Sequence, residues 1–262
     1  MEMLITKQKT LNIYWKIAPY VIVLSLLGLW EFVSRLKVVS SHLFPPPSLV
    51  TVKLYYMIAS GILVKEYLTT TYRVLAGFSL GVLLGIVLGV LIAYSHTVSK
   101  ALYPIIAAIS VAPTLALVPL LIIWVGLNDM LAITAVFLCS FIPLTYNTIS
   151  AIRRMDPGVV DVAKTLGASR ADLTVKILLP QSLPSILSAL KLEAAMAWKT
   201  CFVTEFIAVS SGLGRLMIEA LNTLSVDEML ALLFVLSISS YIFLKIFDEI
   251  EKYFLKKWGF RT

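Results

Sequence analysis

One apolar run, "LSALKLEAAMAWKTCFVTEFIAV", holds the side chains most able to do chemistry in this chain: Lys191, Glu193, Lys199 and Glu205. The run is long enough to cross a bilayer. An ionised group near the centre of such a helix costs roughly 2.5–3.5 kcal/mol on insertion scales. Lys199 lies nearest the middle. Glu193 and Glu205 each stand six residues away, about 240° around a helix, so neither shares its face. Two readings stay open. Lys199 and Glu205 could each pair with a neighbouring helix to hold a bundle together, or Lys199 could present positive charge to a passing anion.

Other chemistries find no support. "GFSLG" matches a serine-hydrolase pattern, but Ser79 sits among Val, Leu and Ile, not on a strained strand-to-helix turn. The only histidines, His42 and His96, are too few and too far apart for a metal motif. Cys139 and Cys201 lie inside apolar runs without metal-ligand spacing and read as small buried hydrophobes. No G-x-x-x-x-G-K-[ST] loop occurs, so any ATP used must be bound by another chain. These exclusions point away from an enzyme.

The elements that position the charges are membrane helices. Of the 262 residues 59% are hydrophobic and 14% charged, and mean hydropathy is +0.92. Soluble domains are nearer half apolar and a quarter charged. A spanning helix needs about 20 apolar residues, and six runs qualify: about 17–34, 74–94, 103–125, 130–150, 186–209 and 229–249. The expected fold class is all-α, a polytopic six-span bundle. Lys7, Lys9 and Lys16 precede the first run as in a signal peptide, yet the chain continues "WEFVSRLK" without a small-residue cleavage site, so the run reads as an uncleaved span.

An even number of spans puts both termini on one side. Thirteen of the 22 Lys and Arg fall in segments on that side, six on the other (Arg73 among them), and Lys191, Lys199 and Lys245 within spans. Basic loops resist translocation, so the termini and the segment 153–182 are expected in the cytoplasm. The net charge of +7 is accounted for by this asymmetry, with no need of a nucleic acid. Three regions are expected: 1–65 with the first span and an outer loop, a core at 66–250, and a basic tail at 251–262. In the outer loop "FPPPSLV" cannot be helical through its prolines, and a short interfacial helix follows from Ser48 to about Ser60.

Two spans carry internal signals. Gly77, Gly81, Gly85 and Gly89 recur every fourth residue, forming a stripe where another helix can approach closely. Pro104, Pro113 and Pro119 interrupt the third span and predict a kink. Carbonyls freed by proline are tolerated where protein or water satisfies them, so Pro113 and Pro119 could line a pathway or only shape the packing.

Between the fourth and fifth spans lies "DVAKTLGASRADLTVKILLPQSLPSI". Asp156-Pro157 opens a helix with a capping acceptor and a first-turn proline. Val159, Val160, Ala163 and Leu166 follow at helical spacing, and Gly167 permits a break or a close approach. "ASRADLTVKILL" restarts a helix that Pro180 and Pro184 punctuate. A helix, a glycine elbow and a second helix suit insertion into a partner's groove.

The spacing resembles the signature of bacterial ABC-importer permeases: Glu-Ala-Ala, three residues, Gly, nine residues, Ile, one residue, Leu-Pro. Asp161, Val162 and Ala163 stand at the first three places, and Gly167, Ile177, Leu179 and Pro180 fall in register. Asp for Glu and Val for Ala are departures. "PTLALVPLLIIWVGL", "AWKTCFVTEFIAVSSGLGRLM" and "TYRVLAGFSLGVLLGIVLG" are similar to the branch handling nitrate, sulfonate and taurine. The resemblance spans about 45–250 and implies a type I importer permease in the inner membrane.

It further implies a second permease copy, two cytoplasmic ABC ATPases that hold the ATP and Mg, and an extracytoplasmic solute-binding protein. No cofactor is implied for this chain. Asp161, Val162, Ala163, Lys164, Gly167, Ala168 and Arg170 would form the ATPase-docking coupling helix. A cofactor precursor of the thiamin-pyrimidine or riboflavin type is an alternative solute, and a stand-alone carrier or channel an alternative function.

Overall fold

The computed structural model describes residues 2–36, 40 and 42–258, and among these the only regular structure is helical. Helix α1 covers Glu2–Arg35, α2 Pro47–Ala59, α3 Ile62–Tyr94 and α4 His96–Val111. A 3₁₀ turn at Thr114–Leu117 leads into α5, Val118–Val125, and α6 runs Asp129–Arg153. Then come α7, Pro157–Thr165, the single turn α8, Arg170–Asp172, and a π turn, Leu173–Leu178. Helix α9 continues directly as Leu179–Ala208, followed by α10, Leu213–Asn222, and α11, Val226–Lys257. Among the described residues five helices are long and apolar enough to cross a membrane, and α4 with α5 makes a sixth crossing if a bent pair counts as one. Helix α2 lies one residue from the expected interfacial helix, and α11 continues into the region expected as a tail. Residues 259–262 of that tail lie outside the described ones.

The glycine stripe makes the tightest seam. All four glycines are buried against α6. A Cβ built on Gly77 would stand 2.6 Å from the Ile133 carbonyl oxygen, and on Gly81 2.8 Å from that of Phe137. On Gly85 it would be 2.9 Å from the Phe141 oxygen, and on Gly89 2.6 Å from Thr148 Cβ. Each step of four along α3 matches a step of four along α6, so the two helices run parallel. Parallel neighbours require the intervening chain to travel back along the seam. From Tyr94 to the level of Arg73, where α6 begins beside it, that is about 30 Å at 1.5 Å per residue.

That return is made by α4 and α5, and the expected kink is a full break: the two parts of the crossing meet at 85°. The break falls at Ala112–Pro113, both in extended conformation. Pro113 disfavours helix at its predecessor and lacks an N–H, while Pro119 takes a first-turn position where none is needed. Pro104 is accommodated inside α4.

Helices α9 and α11 complete the core and run antiparallel. Ser188 and Lys191 meet Glu251, while Ser240 donates to the Ala195 carbonyl at 3.0 Å. Phe78, Phe243 and Phe247 form an edge-on aromatic trio with centroids 5.1–5.2 Å apart. Helix α1 stands off at the side, tied by the Ser34 hydroxyl to the Phe44 carbonyl, 2.6 Å, and by Glu31, which accepts from Ser48.

Candidate functional site

The bundle has two chemically distinct ends. One is the elbow between α6 and α9. The other gathers the start of α3, the start of α6, the end of α9 and the loop into α10.

Local chemistry dictates the elbow at each turn. Asp156 caps α7, its Oδ1 accepting from the Gly158 N–H at 2.8 Å, as its place before Pro157 predicts. Helix α7 ends at Gly167 with φ +82°, the left-handed region that favours glycine. The Gly167 N–H donates to the Lys164 carbonyl and the Ala168 N–H to the Ala163 carbonyl, both at 3.0 Å. That pair of bonds is a Schellman C-cap.

Two residues on, Ser169 opens the next helix. Its hydroxyl accepts from the Asp172 N–H at 3.1 Å, a side-chain N-cap, and donates back to the Asp172 carboxylate. Lys176 and then Ser169 hold the Asp172 carboxyl down at about 2, below its ordinary 3.8. Its contribution to this cap is complete above pH 3.8 and is lost as pH falls through 2. Pro180 has no N–H to give, and the π turn just before it shifts the hydrogen bonding of Leu173–Leu178 accordingly.

The elbow turns one face inward and leaves the other bare. Ala163 is buried, whereas Val162 is 60% and Leu166 82% exposed. Asp161 and Lys164 point to solvent with a 3.6 Å ion pair. Ala168 is half-buried, Gly167 has no atom within 4 Å of where a Cβ would stand, and the Arg170 side chain lies outside the described residues. The residues singled out in sequence are thus assembled on one small protrusion. Open space at Gly167 leaves its backbone angle, rather than a neighbour within this chain, as its constraint.

The opposite end is closed by a buried ionic network centred on Arg73, which is 0% exposed. One guanidinium nitrogen donates to Glu205 at 2.7 Å and to the Ser211 carbonyl at 2.9 Å, the other to Asp129 and the Ser211 hydroxyl. Glu205 also accepts from the Thr70 hydroxyl at 2.8 Å and the Gly214 N–H at 3.1 Å. Glu66 accepts from the Gly212 N–H, and Thr70 from the Leu213 N–H at 2.9 Å. Three consecutive N–H groups at the start of α10 therefore find acceptors on α3 and α9. Such N–H groups have no partner within their own helix, and carboxylates are favoured beside them.

Glycine is required in two of those places. A Cβ on Gly212, φ +99°, would stand 2.2 Å from the Glu205 carboxyl carbon, and one on Gly214 2.3 Å from the Phe202 carbonyl oxygen.

This end corrects the count of loop charges, in which Arg73 stood outside the spans. It lies within α3, which begins at Ile62 rather than near residue 74. Glu66, Thr70, Arg73, Asp129, Gly212 and Gly214 were not singled out in sequence. A signal was present: Glu66, Thr70 and Arg73 continue the glycine stripe backwards at helical spacing. For Glu205 the structure takes the pairing alternative. Lys191 likewise pairs across helices, with Asp248 at 3.1 Å and Glu251 at 2.7 Å. Lys199 differs: it is exposed, makes no ion pair among the described residues, and borders a cleft of about 320 Å³ with Ser237, Ser240 and Tyr241. Pro113 and Pro119 are exposed at the bend, where Pro143 helps line an apolar cleft of about 320 Å³. No group of three or more His, Cys, Asp and Glu among the described residues could hold a metal.

Comparison with known proteins places this architecture. Residues 81–259 match the family described as binding-protein-dependent transport system inner membrane component. A protein of Escherichia coli named as the aliphatic sulfonates transport permease SsuC is 32% identical over 212 residues, 81% of each chain. The taurine transport system permease protein TauC of the same organism is 30% identical over 222 residues, 83% of this chain and 81% of its own.

Among solved structures, an inward-facing MetNI methionine ABC transporter covers 74% of this chain and 96% of its own, with a TM-score of 0.61 at 17% identity. An amino acid ABC transporter solved with histidines covers 76% and 97%, with a TM-score of 0.62 at 19% identity. At such identities these likenesses establish the fold, that of a type I importer permease. Family match and fold agree: the chain belongs to the binding-protein-dependent transport system inner membrane components and is the multi-pass membrane permease of an ABC importer.

Proposed function

We propose that the elbow 156–178 is the coupling segment, seated in a groove of a cytoplasmic ABC ATPase that holds the ATP and Mg. Two copies of this chain then form one pathway, supplied by an extracytoplasmic binding protein. The single observation that carries this reading is the bare apolar pair Val162 and Leu166 on a rigidly capped protrusion. An exposed leucine forgoes about 1.5–3 kcal/mol that burial would return, and a fixed shape lowers the entropy lost on docking. In this arrangement the elbow and both termini face the cytoplasm, in accord with the excess of Lys and Arg on that side.

The solute is a small organic or inorganic anion, such as a sulfonate, taurine or nitrate. Two observations support it: the relatives named for aliphatic sulfonates and taurine, and Lys199, a mid-helix cation of α9 that makes no ion pair among the described residues.

The test is Leu166→Glu combined with Val162→Glu. The variant should keep its thermal midpoint in detergent and lose the ATPase on purification from native membranes. If the ATPase stays bound, the docking assignment is wrong. Thermal shifts of the cognate binding protein with an alkanesulfonate, taurine, nitrate and a thiamin-pyrimidine precursor test the solute class, and a shift with the last alone overturns it.

A further inference from the structure

A cleft of about 580 Å³ separates the elbow from the bundle proper. Its walls come from the end of α3, the start of α4, the end of α6, α7 and the π turn, so it occupies the joint where the protrusion meets the membrane helices. Ile152, Leu173 and Leu178 make an apolar wall. Arg153 and Lys164 stand at its border, with the hydroxyl-bearing Ser99 and Thr174. None of its lining residues is acidic. Lys164 also faces the exposed Asp161 carboxylate at 3.6 Å, which does not line the cleft.

Two observations point to a ligand-binding role. Ser99 is 3% exposed, and its hydroxyl, shielded from bulk water, has no hydrogen-bond partner among the described residues. Buried hydroxyls are ordinarily satisfied. The Arg153 guanidinium makes no ion pair among the described residues and lies over the Tyr103 ring at 4.3 Å. A guanidinium in that position keeps in-plane N–H groups free for a bidentate oxyanion. On the other flank of Arg153 a second cleft, about 460 Å³, adds Arg154 and the hydroxyls of Tyr103 and Tyr146, again with no acid in its lining.

We propose that the joint cleft binds an anionic amphiphile, its oxyanion held by Arg153, Lys164 and Ser99 and its short apolar portion against Ile152, Leu173 and Leu178. Volume and lining fit a small-ligand site, mostly apolar with a few convergent polar groups. Basic pockets between membrane helices near the bilayer surface suit acidic headgroups. The same chemistry has two sources, an anionic phospholipid of the elbow-side leaflet or a free alkyl oxyanion. A ligand lodged here touches both the elbow and the ends of α3 and α6.

Binding is measured on the full-length chain without any ATPase, so its outcome is independent of the docking assignment. In the first arm, native mass spectrometry follows retention of dioleoylphosphatidylglycerol against dioleoylphosphatidylcholine supplied in equal amounts. If the lipid is the source, phosphatidylglycerol is retained roughly tenfold over phosphatidylcholine, a difference of about 1.4 kcal/mol. Arg153→Gln brings the two to parity, and Arg153→Lys restores part of the preference. Lys164→Gln, on an exposed position that leaves the fold intact, lowers the preference severalfold.

In the second arm, hexanesulfonate is titrated into protein held in phosphatidylcholine alone. If the free oxyanion is the source, it raises the thermal midpoint of the native chain and not of Arg153→Gln. Either pattern supports the site. Retention at parity with no hexanesulfonate shift, or binding that Arg153→Gln and Lys164→Gln leave unchanged, overturns it.

Discussion

The two ends of this permease place their charges and glycines in opposite ways. At the Arg73 end a guanidinium, the carboxylates of Glu66 and Glu205 and a helix N-terminus are enclosed together, and Gly212 and Gly214 are fixed by atoms closer than any Cβ would tolerate. At the elbow the charges Asp161 and Lys164 stand in solvent, leucine and valine are bare, and Gly167 has empty space around it. One end is determined by what it packs against within the chain. The other is held by its own caps and by an inward face that buries Ala163, and its outer face stays bare.

The contrast can be broken most forcefully at Arg73. Arg73→Leu leaves Glu205 buried without its cation and removes the tie to Asp129 and Ser211. Removing one partner of a buried pair costs about 3–5 kcal/mol, so the variant should lose most of its folded yield in detergent. A double change, Arg73→Leu with Glu205→Leu, should recover part of it, and equal yields for the two would contradict the pairing role.

Next in size comes the α3–α6 seam. Gly81→Val places carbon within 3 Å of a backbone oxygen and of Ser140 Cβ, a collision relieved only by separating the helices. Overpacking of this kind costs about 1–3 kcal/mol, read as a lowered thermal midpoint.

The smallest stability effect belongs to Gly167→Ala. The left-handed conformation at that residue costs about 1–2 kcal/mol, and nothing collides. The expected result is a midpoint lowered less than by Gly81→Val and ATP-dependent uptake in proteoliposomes reduced severalfold. A change that lowers the midpoint as much as Gly81→Val would put the two ends on the same footing and erase the distinction drawn here.

Much of this architecture is legible in the chain. The glycine period of four names both the helix and the face that α6 occupies, because close approach in lipid depends on a residue type that can be counted. The elbow is legible for a related reason: Asp156-Pro157 and Gly167 are local devices acting over two to five residues, whereas the Ser169–Asp172 cap emerged only in the structure. The Arg73 network was less visible because its parts come from four separate stretches. Hydropathy treats Glu66 and Arg73 as ends of a span, and their burial is tolerable only through partners far along the chain, carboxylates on α6 and α9 for Arg73 and the Gly212 N–H with Arg215 for Glu66. The 85° bend was legible in kind from Pro113 but not in size, since proline fixes a break and the neighbouring helices set its angle. Lys191 and Lys199 look alike in sequence, and their different fates depend on what α11 places opposite each.

The parallel pairing of α3 with α6 has a mechanical consequence. Two helices whose backbones touch at four successive turns cannot slide past one another, so they respond to force as a single strut. Helix α6 starts at Asp129, beside the Arg73 clasp, and ends at Arg153, where the elbow begins. At 1.5 Å per residue the strut is about 36 Å long. Force applied at the elbow would therefore reach the Arg73 clasp through this strut rather than through the bent crossing of α4 and α5 beside it.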